Sequence, residues 1–326
     1  MTITVADQGL LVTMRATKHF TDSVRRDLYA HETWNIGLVY EPISTFAEGE
    51  ATHTIHWLSP PSNDRYYADP FGLERNGSLY ILCEEFDYRS NKGRIISIEM
   101  KQKKYESTPR VAMEFPFHTS YPYLIESRGE IYCIPETARA MEIALYRSVD
   151  FPCRWEKVST LVPRFPARDA TVFEHNGLWW LTCSGSPTTP DLYAWYSSDL
   201  LGPWVPHPSN PVKKDPSSSR PAGTPFVCDG ILYRPAQDCS RTYGGRIILN
   251  RVRVLTTDAF KEDSATVIEP NVSGPYPHGL HTISAAGDVT LIDGKRNEFI
   301  GFKGIMARLM IGIRDHVREQ TAQAET

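Results

Sequence analysis

Acidic side chains return at one place in a repeated sequence pattern, and that recurrence is the chemical signal of this chain. Asp69 stands near the start of ADPFGLERNGSLYILCEE, and Glu84 and Glu85 close the same segment. Glu136 closes SYPYLIESRGEIYCIPE, Asp169 follows Arg168 in RDATVFEHNGLWWLTCS, and Gln237 and Asp238 close PAGTPFVCDGILYRPAQD. A fifth segment, HGLHTISAAGDVTLIDG, brings His278 and His281 instead. Carboxylates from distant parts of a chain that meet in one place cannot all ionise at low cost, so their pKa values are driven apart. Chemistry at a glycosidic bond needs such a separation. One acid keeps a proton for the leaving group while another attacks or activates water.

The elements that would bring these residues together are hairpins. Each segment has a short apolar strand, a turn containing glycine, and a second strand rich in Leu, Ile, Tyr or Trp. The turns read Asn76-Gly77, Arg128-Gly129, Asn176-Gly177, Asp229-Gly230 and Ala286-Gly287. Asn-Gly and Asp-Gly are strong two-residue hairpin signals, because both turn positions need φ > 0. The turn glycines are 52, 48, 53 and 57 residues apart. A period near 50 in an all-β pattern points to four-stranded propeller blades, and the strand-like apolar spacing excludes a helical solenoid. The fold expected is therefore an all-β, five-bladed β-propeller.

In a propeller the innermost strand of each blade lines the central channel. Taking each turn as a mirror pairs Asp69 with Glu84, Tyr121 with Glu136, Asp169 with Ser184, Ala222 with Gln237 and Gly279 with Gly294. One mouth should then gather Asp69, Glu84, Glu85, Glu136, Asp169 and Asp238 with Arg168, Arg220, His278 and His281. The catalytic set expected is Asp69, Asp169, Glu136 and Glu85. The substrate-binding set is Glu84, Tyr121, Arg168, Arg220, Gln237, Asp238, His278 and His281. Strand-end turns and salt bridges around a hydrated channel would use the same residue types without any chemistry.

The fifth repeat lacks an outer strand, and the runs Trp34–Tyr40 and Thr54–Leu58 are available to complete it, which would leave no sheet edge open. The organisation expected is an N-terminal extension over 1–33, the propeller over 34–303, and a C-terminal helix and tail over 304–326. The helix would be amphipathic from Gly304 to about Arg318.

The bulk properties exclude several partners. In 326 residues, 41% are hydrophobic and 23% charged, as in soluble globular proteins. A net charge of -4 offers no attraction for nucleic acid or an anionic membrane. No run of about 18 apolar residues is present to span a bilayer, and the N-terminus lacks the pattern of a secretory signal, so a cytoplasmic location is expected. None of the six cysteines forms a CxxC pair, and Cys83, Cys133 and Cys183 lie within apolar strands, as buried hydrophobes do. No metal site is expected from ligand spacing. The glycine turns at Asn91-Lys-Gly93 and Tyr243-Gly-Gly245 open no helix and are not phosphate loops.

Several stretches carry a resemblance. HTSYPYLIE, GEIYCIPE, WEKVSTL, RDATVFEHNGLWWLTCS, GPWVPHPSNPV and YRPAQDCSRTYGG together resemble the N-terminal propeller domain of plant glucosamine inositolphosphorylceramide transferases, a domain also found in bacterial and fungal proteins. The likeness runs from about Trp34 to Arg296. In the plant enzymes a separate C-terminal domain follows, to which sugar transfer is ascribed. More distantly the layout is similar to five-bladed furanosidase-type glycoside hydrolases. There Asp69 resembles the first-blade base or nucleophile, and Arg168-Asp169 an Arg-Asp stabiliser of the transition state. His281 resembles a fifth-blade histidine that in some relatives lies beside an axial calcium.

These readings imply an enzyme that cleaves or transfers a glycosyl group, acting on a carbohydrate or glycosylated small molecule. Asp69 would be nucleophile or base, Asp169 the stabiliser, and Glu136 or Glu85 the proton donor. The same residues would equally serve a non-catalytic glycan-binding or scaffold domain beside a separate transferase, or a biosynthetic enzyme of unrelated chemistry that reuses the funnel.

Overall fold

The computed structural model describes residues 30–49, 52–101, 104–105, 108–185 and 190–299. The compact unit Trp34–Arg296 is a five-bladed propeller built from five separate antiparallel sheets. Residues 1–33 and 297–326 form the other unit, almost all of it outside the described residues, and the helix expected from Gly304 lies there too.

Blade 1 runs from its inner strand Arg65–Arg75 through Ser78–Asp87 to Lys92–Lys101, against which both Lys104–Tyr105 and Arg110–Met113 pair. Blade 2 comprises Ser120–Ser127, Glu130–Glu136, Glu142–Asp150 and Arg154–Pro163. Blade 3 comprises Arg168–His175, Leu178–Ser184 and Asp191–Ser197, edged by Val205–Pro206 and Lys213–Lys214. Blade 4 comprises Phe226–Cys228, Ile231–Asp238, Arg246–Leu255 and Phe260–Ile268. Blade 5 is completed from the other end of the chain: Ile283–Ala286 and Val289–Phe299 are followed outward by Ala30–Val39 and His56–Trp57. The N-terminal strands close the ring as their sequence position predicts.

The hairpin turns show why the repeat was readable. Asn76-Gly77, Arg128-Gly129, Asn176-Gly177 and Asp229-Gly230 all have positive φ at both residues. The fifth turn differs by one residue. Ala286 pairs with Val289, so the turn is Gly287-Asp288, with positive φ at the glycine.

Apolar side chains fill the seams between blades. Leu82, Ile95 and Cys133 pack between blades 1 and 2. Tyr123, Ile134, Val172 and Leu181 pack between blades 2 and 3. Trp180, Leu232 and Leu255 join blades 3 and 4. Val39, Phe226, Ile247 and Ile283 join blades 4 and 5, while Ile36, Leu38, Ile81 and Leu291 join blade 5 to blade 1. Cys83, Cys133 and Cys183 are buried among these residues as small hydrophobes.

Mirror pairing across each turn holds only part of the way along the inner strands. In blade 1 it holds from Arg75↔Ser78 to Phe71↔Leu82 and then slips, so that Ala68, not Asp69, faces Glu84. Blade 2 slips between Tyr123 and Ser120, and blade 3 between Thr171 and Arg168. The residue thrown out of register takes a left-handed backbone each time: Asp69 at φ 52°, Tyr121 at φ 45° and Asp169 at φ 52°. Such a conformation is costly for a residue with a side chain, about 1–3 kcal/mol, and persists where the surroundings over-determine it. Each of these three blades thus carries a β-bulge at its channel mouth, a device that re-aims a side chain.

Blade 4 meets the same need with glycine. Gly223 has φ 120°, and its backbone runs parallel to Ile283 of blade 5. A Cβ there would sit 1.8 Å from the Ile283 carbonyl oxygen. Gly223→Ala is expected to destabilise the protein by about 3 kcal/mol or more, from backbone strain and overpacking together. Scanning calorimetry should show a melting temperature lower by roughly 5–10 °C. A variant that melts with the wild type would show that the blade 4–5 seam does not hold the ring.

Candidate functional site

The bulges aim Asp69 and Asp169 at the axis, where both carboxylates are buried. Asp169 Oδ2 accepts hydrogen bonds from Arg220 Nε and, at 3.1 Å, from Gln237 Nε2. Gln237 Nε2 also donates to the Pro221 carbonyl at 2.9 Å, which fixes the amide. Asp69 Oδ1 accepts from Thr282 Oγ1 at 2.7 Å and lies 3.6 Å from His281 Nε2. Behind them Asp293, fully buried, accepts the backbone N–H groups of His281 and Thr282 at 2.9 and 3.0 Å. Its other oxygen lies 2.5 Å from His281 Nδ1, an ion pair by distance that is not aligned as a hydrogen bond.

Two further acids complete the funnel. Glu136 Oε1 accepts from Arg168 Nη1 at 3.1 Å, and its Oε2 accepts the Asp169 backbone N–H at 3.1 Å. Glu84 is as buried, yet its Oε1 has no hydrogen-bond partner. His118 Nε2 stands 3.7 Å from it, too far for a direct bond. Arg220 lies 5.0 Å below the ring of Tyr243, so that a cation and an aromatic face meet at the wall of the site.

Four of the residues expected at the mouth stand apart from this group. Glu85 follows Glu84 on the strand and so points to the other face, where Arg94 (2.7 and 2.9 Å) and Arg65 (3.4 Å) take up its carboxylate. Asp238 caps the Ser240 turn and pairs with Arg246 at 2.8 Å. The Tyr121 side chain is sealed in the core: its hydroxyl accepts the Gly223 N–H at 2.8 Å and bonds Thr171 Oγ1 at 2.8 Å. His278 is exposed, with its backbone N–H bonded to the Lys295 carbonyl of blade 5 at 2.9 Å. Asp69, Asp169, Glu136, Glu84, Arg168, Arg220, Gln237 and His281 do converge.

Residues that sequence reasoning passed over include Asp293, Thr282, His118, Trp34 and Tyr243. Trp34 stacks on His281, with ring centroids 4.1 Å apart, and Tyr243 meets that histidine edge-on at 5.2 Å. The buried Lys295 donates to the Tyr243 carbonyl and lies 5.3 Å from the Trp34 ring. Asp293 and Lys295 sit in IDGK, at the end of the fifth repeat, where the mirror pointed to Gly294 between them.

Asp69, His281 and Asp293 are the one group among the described residues whose ligand atoms, all within 4.8 Å of one another, could surround a metal ion. Two carboxylates and an imidazole depart from the oxygen shell that calcium prefers. Thr282, the backbone amides and the ion pairs already engage the three, so the cluster is accounted for without an ion. A cavity of about 410 Å³ opens elsewhere, between Phe46, Trp57, Ile268, Tyr276 and Leu280, and touches the acids only at Asp293.

Comparison with known proteins adds to this geometry. A model of the family described as glucosamine inositolphosphorylceramide transferase 1, N-terminal, matches residues 42–273. Glucosamine inositolphosphorylceramide transferase 1 of Oryza sativa subsp. japonica is 32% identical over 253 residues, covering 72% of this chain and 34% of the relative. The protein of that name from Arabidopsis thaliana is 34% identical over 210 residues, covering 62% and 27%. The chain thus spans about a third of the length of these curated relatives. Among solved structures it is similar to Zg3597, a family 117 glycoside hydrolase from the marine bacterium Zobellia galactanivorans. The TM-score is 0.52 at 12% identity, over 82% of this chain and 90% of that one. A thermostable family-43 glycoside hydrolase gives a TM-score of 0.51 at 11% identity, over 67% and 84%. At such identities the structural likeness concerns the fold.

The acids in the funnel differ in how they hold protons. Burial pushes Asp69 up to about 6, with Asp169 and Asp293 adding to the rise and His281 opposing it. Burial and Asp169 push Glu136 up to about 8 against the pull of Arg220 and Arg168. Glu84 is raised well above the usual carboxylate range by burial and by Asp69, Glu136, Asp293 and Asp169. For His281 burial acts downward, but Asp293 and Asp69 outweigh it and the net shift is upward.

Unfolded carboxyl groups titrate near pH 4, so between about pH 4 and 8 the native state retains protons that the unfolded chain has released. Stability therefore falls as pH rises through that window, and the raised histidine acts in the same direction. Asp238 and Glu262 are held below their ordinary values despite burial, Asp238 by Ser240 and Arg246, and Glu262 by Arg234 and Lys213. Their contribution is lost as pH falls through their own lowered folded values. Thermal melts from pH 4 to 9 are expected to peak near pH 5 and decline above 6, with a shallower decline in Glu136→Gln. A melting temperature that climbs from pH 5 to 8 would contradict the protonated funnel.

Proposed function

The chain belongs to the family of the N-terminal domain of glucosamine inositolphosphorylceramide transferase 1, and on that footing we propose that its funnel cleaves or transfers a glycosyl group. One observation supports this above the rest: buried carboxyl groups from several blades share one opening and hold their protons differently. A pair of acids with separated pKa values can act at a glycosidic bond as proton donor and as nucleophile or base.

In this reading Asp69 is the nucleophile or base. Thr282 and His281 hold its carboxylate, and of the three acids raised in the funnel it ionises first. Glu84 takes the donor's place that the sequence suggested for Glu136 or Glu85. Both oxygens of Glu136 already receive hydrogen bonds, and Glu85 is turned away toward Arg94 and Arg65. Glu84 holds its proton to higher pH than an ordinary carboxyl, because of burial and the neighbouring acids, and has an oxygen with no partner. Asp169, clamped by Arg220 and Gln237, stabilises positive charge developing at the anomeric carbon. Glu136 ties Arg168 to the Asp169 backbone and so sets the position of both.

A second reading, a glycan-binding domain acting beside a separate transferase, is favoured by one fact. The chain spans about a third of relatives whose name describes a transferase. Wild type, Asp69→Asn and Glu84→Gln should be compared on a panel of 4-nitrophenyl glycosides and nucleotide sugars. Each substitution is expected to lower turnover roughly 10²–10⁴-fold with the fold intact. Turnover that survives both would remove these residues from the mechanism. Glycan binding without turnover of any compound would favour the second reading.

A further inference from the structure

Tyr243 stands where the surroundings of the two aspartates meet. Its ring lies 5.0 Å from the guanidinium of Arg220, which bonds Asp169. It lies 5.2 Å from the ring of His281, whose Nε2 is 3.6 Å from Asp69. Its hydroxyl feels the charges of Asp69, Asp169, Glu136 and Arg220. Those acids are buried, yet Tyr243 is 41% exposed. Arg220 takes one face of the ring. Trp34 and His281, its ring neighbours among the described residues, stand at 72° and 82° to it, so neither lies flat against it. Aromatic area left open beside a buried polar centre is surface that a ligand can cover with gain.

The backbone holds this ring in place. Tyr243 belongs to the connection between Ile231–Asp238 and Arg246–Leu255 of blade 4. Its carbonyl accepts a hydrogen bond from Lys295 of blade 5. Gly244 follows with φ 56°, packed so closely that a Cβ there would stand 2.7 Å from Trp34 and 2.9 Å from His281. A Cβ on Gly279 would stand 2.1 Å from the Gly244 carbonyl oxygen. The Gly245 N–H bonds the Asp238 carbonyl at 3.3 Å, so the loop is fastened to blades 4 and 5 together. A surface fixed in advance loses little freedom when a ligand settles on it.

The character of that surface selects the ligand. An aromatic face is electron-rich and repels an anion, and a cation on the open face would oppose Arg220 through the ring. An uncharged, flat, apolar surface remains as the fitting partner. A saturated sugar ring offers one on the side where its C–H bonds gather, while its hydroxyl groups leave from the rim. We infer that Tyr243 is the platform of the funnel: a neutral sugar ring lies with its C–H side against the exposed tyrosine, next to Asp69 and Asp169. The inference rests on the glycosyl reading above and narrows its substrate to sugars whose reacting ring carries no charge. A platform grips the ring equally before and during reaction, so its weight falls on KM and little of it on kcat.

The test compares the full chain as wild type, Tyr243→Phe, Tyr243→Leu and Tyr243→Ala. Binding of neutral methyl pyranosides and methyl furanosides is read by saturation-transfer NMR, and turnover of 4-nitrophenyl glycosides by release of nitrophenol. At least one compound is expected to bind the wild type, with the strongest transfer to protons on one side of its ring. Tyr243→Ala and Tyr243→Leu should bind it roughly tenfold more weakly and raise KM by a like factor, while kcat stays within about threefold. Leucine still covers Arg220 but offers no plane. Tyr243→Phe keeps the plane and should recover to within about threefold. Equal binding by wild type and Tyr243→Ala overturns the platform but leaves the glycosyl reading standing, because sensitivity to Asp69→Asn is measured separately. A Tyr243→Phe variant as weak as Tyr243→Ala also overturns it, since the contact would then lie at the hydroxyl. So does a fall in kcat at unchanged KM, which would mean action through Arg220 or His281. If no compound binds the wild type, both readings fall.

Discussion

Taking carboxylates out of water is the constraint on which the rest of this structure depends. A buried charge must be paired, supplied with donors, or neutralised by a proton. Asp169 is paired by Arg220 and Gln237, Asp293 by His281 and three backbone amides, and Glu136 by Arg168 and one amide. Those arrangements occupy three of the five acids. Asp69 has a single hydroxyl and a histidine at longer range, and Glu84 has an oxygen with nothing bound to it. These are the two acids that the surrounding network does not fully satisfy, and the ones to which the proposed glycosyl chemistry is given.

Backbone geometry makes this possible. An unbroken strand alternates its side chains between two faces, so consecutive residues cannot both serve the axis. The bulges in blades 1 to 3 break that alternation at the channel mouth, placing Asp69, Tyr121 and Asp169 in the left-handed region. The same local distortion has different uses. In blades 1 and 3 it presents an acid to the funnel. In blade 2 it sends a tyrosine into the core, where the hydroxyl links the Gly223 amide of blade 4 to Thr171 of blade 3.

The hairpins, their period and the closing of blade 5 by the N-terminal strands were legible because turn chemistry is local: Asn-Gly and Asp-Gly declare their backbone conformation within two residues. The convergence of Asp69, Glu136, Asp169, Arg220 and His281 followed from the repeat. The division of labour among the acids did not. Glu84 and Glu85 are adjacent, and only the slip in register and the placing of Arg65 and Arg94 decide which one meets the funnel. His118 lies in the connection between blades 1 and 2, where no repeat position marks it. Asp293 and Trp34 belong to blade 5, whose strands come from both ends of the chain, so the spacing of the first four blades says little about them.

Trp34 covers His281, and His281 with Asp293 sets the surroundings of Asp69. Trp34 is among the earliest of these residues to leave the ribosome, and His281 and Asp293 are among the last. Synthesis runs from N- to C-terminus, and contacts so distant in sequence form late. A growing chain that already carries Asp69 and its hairpin lacks the partners that tune that acid until the final blade has been made and the first strand has returned to it. The surroundings of this acid are therefore complete only with the last turn of the ring, and an unfinished copy would present the same side chain to water.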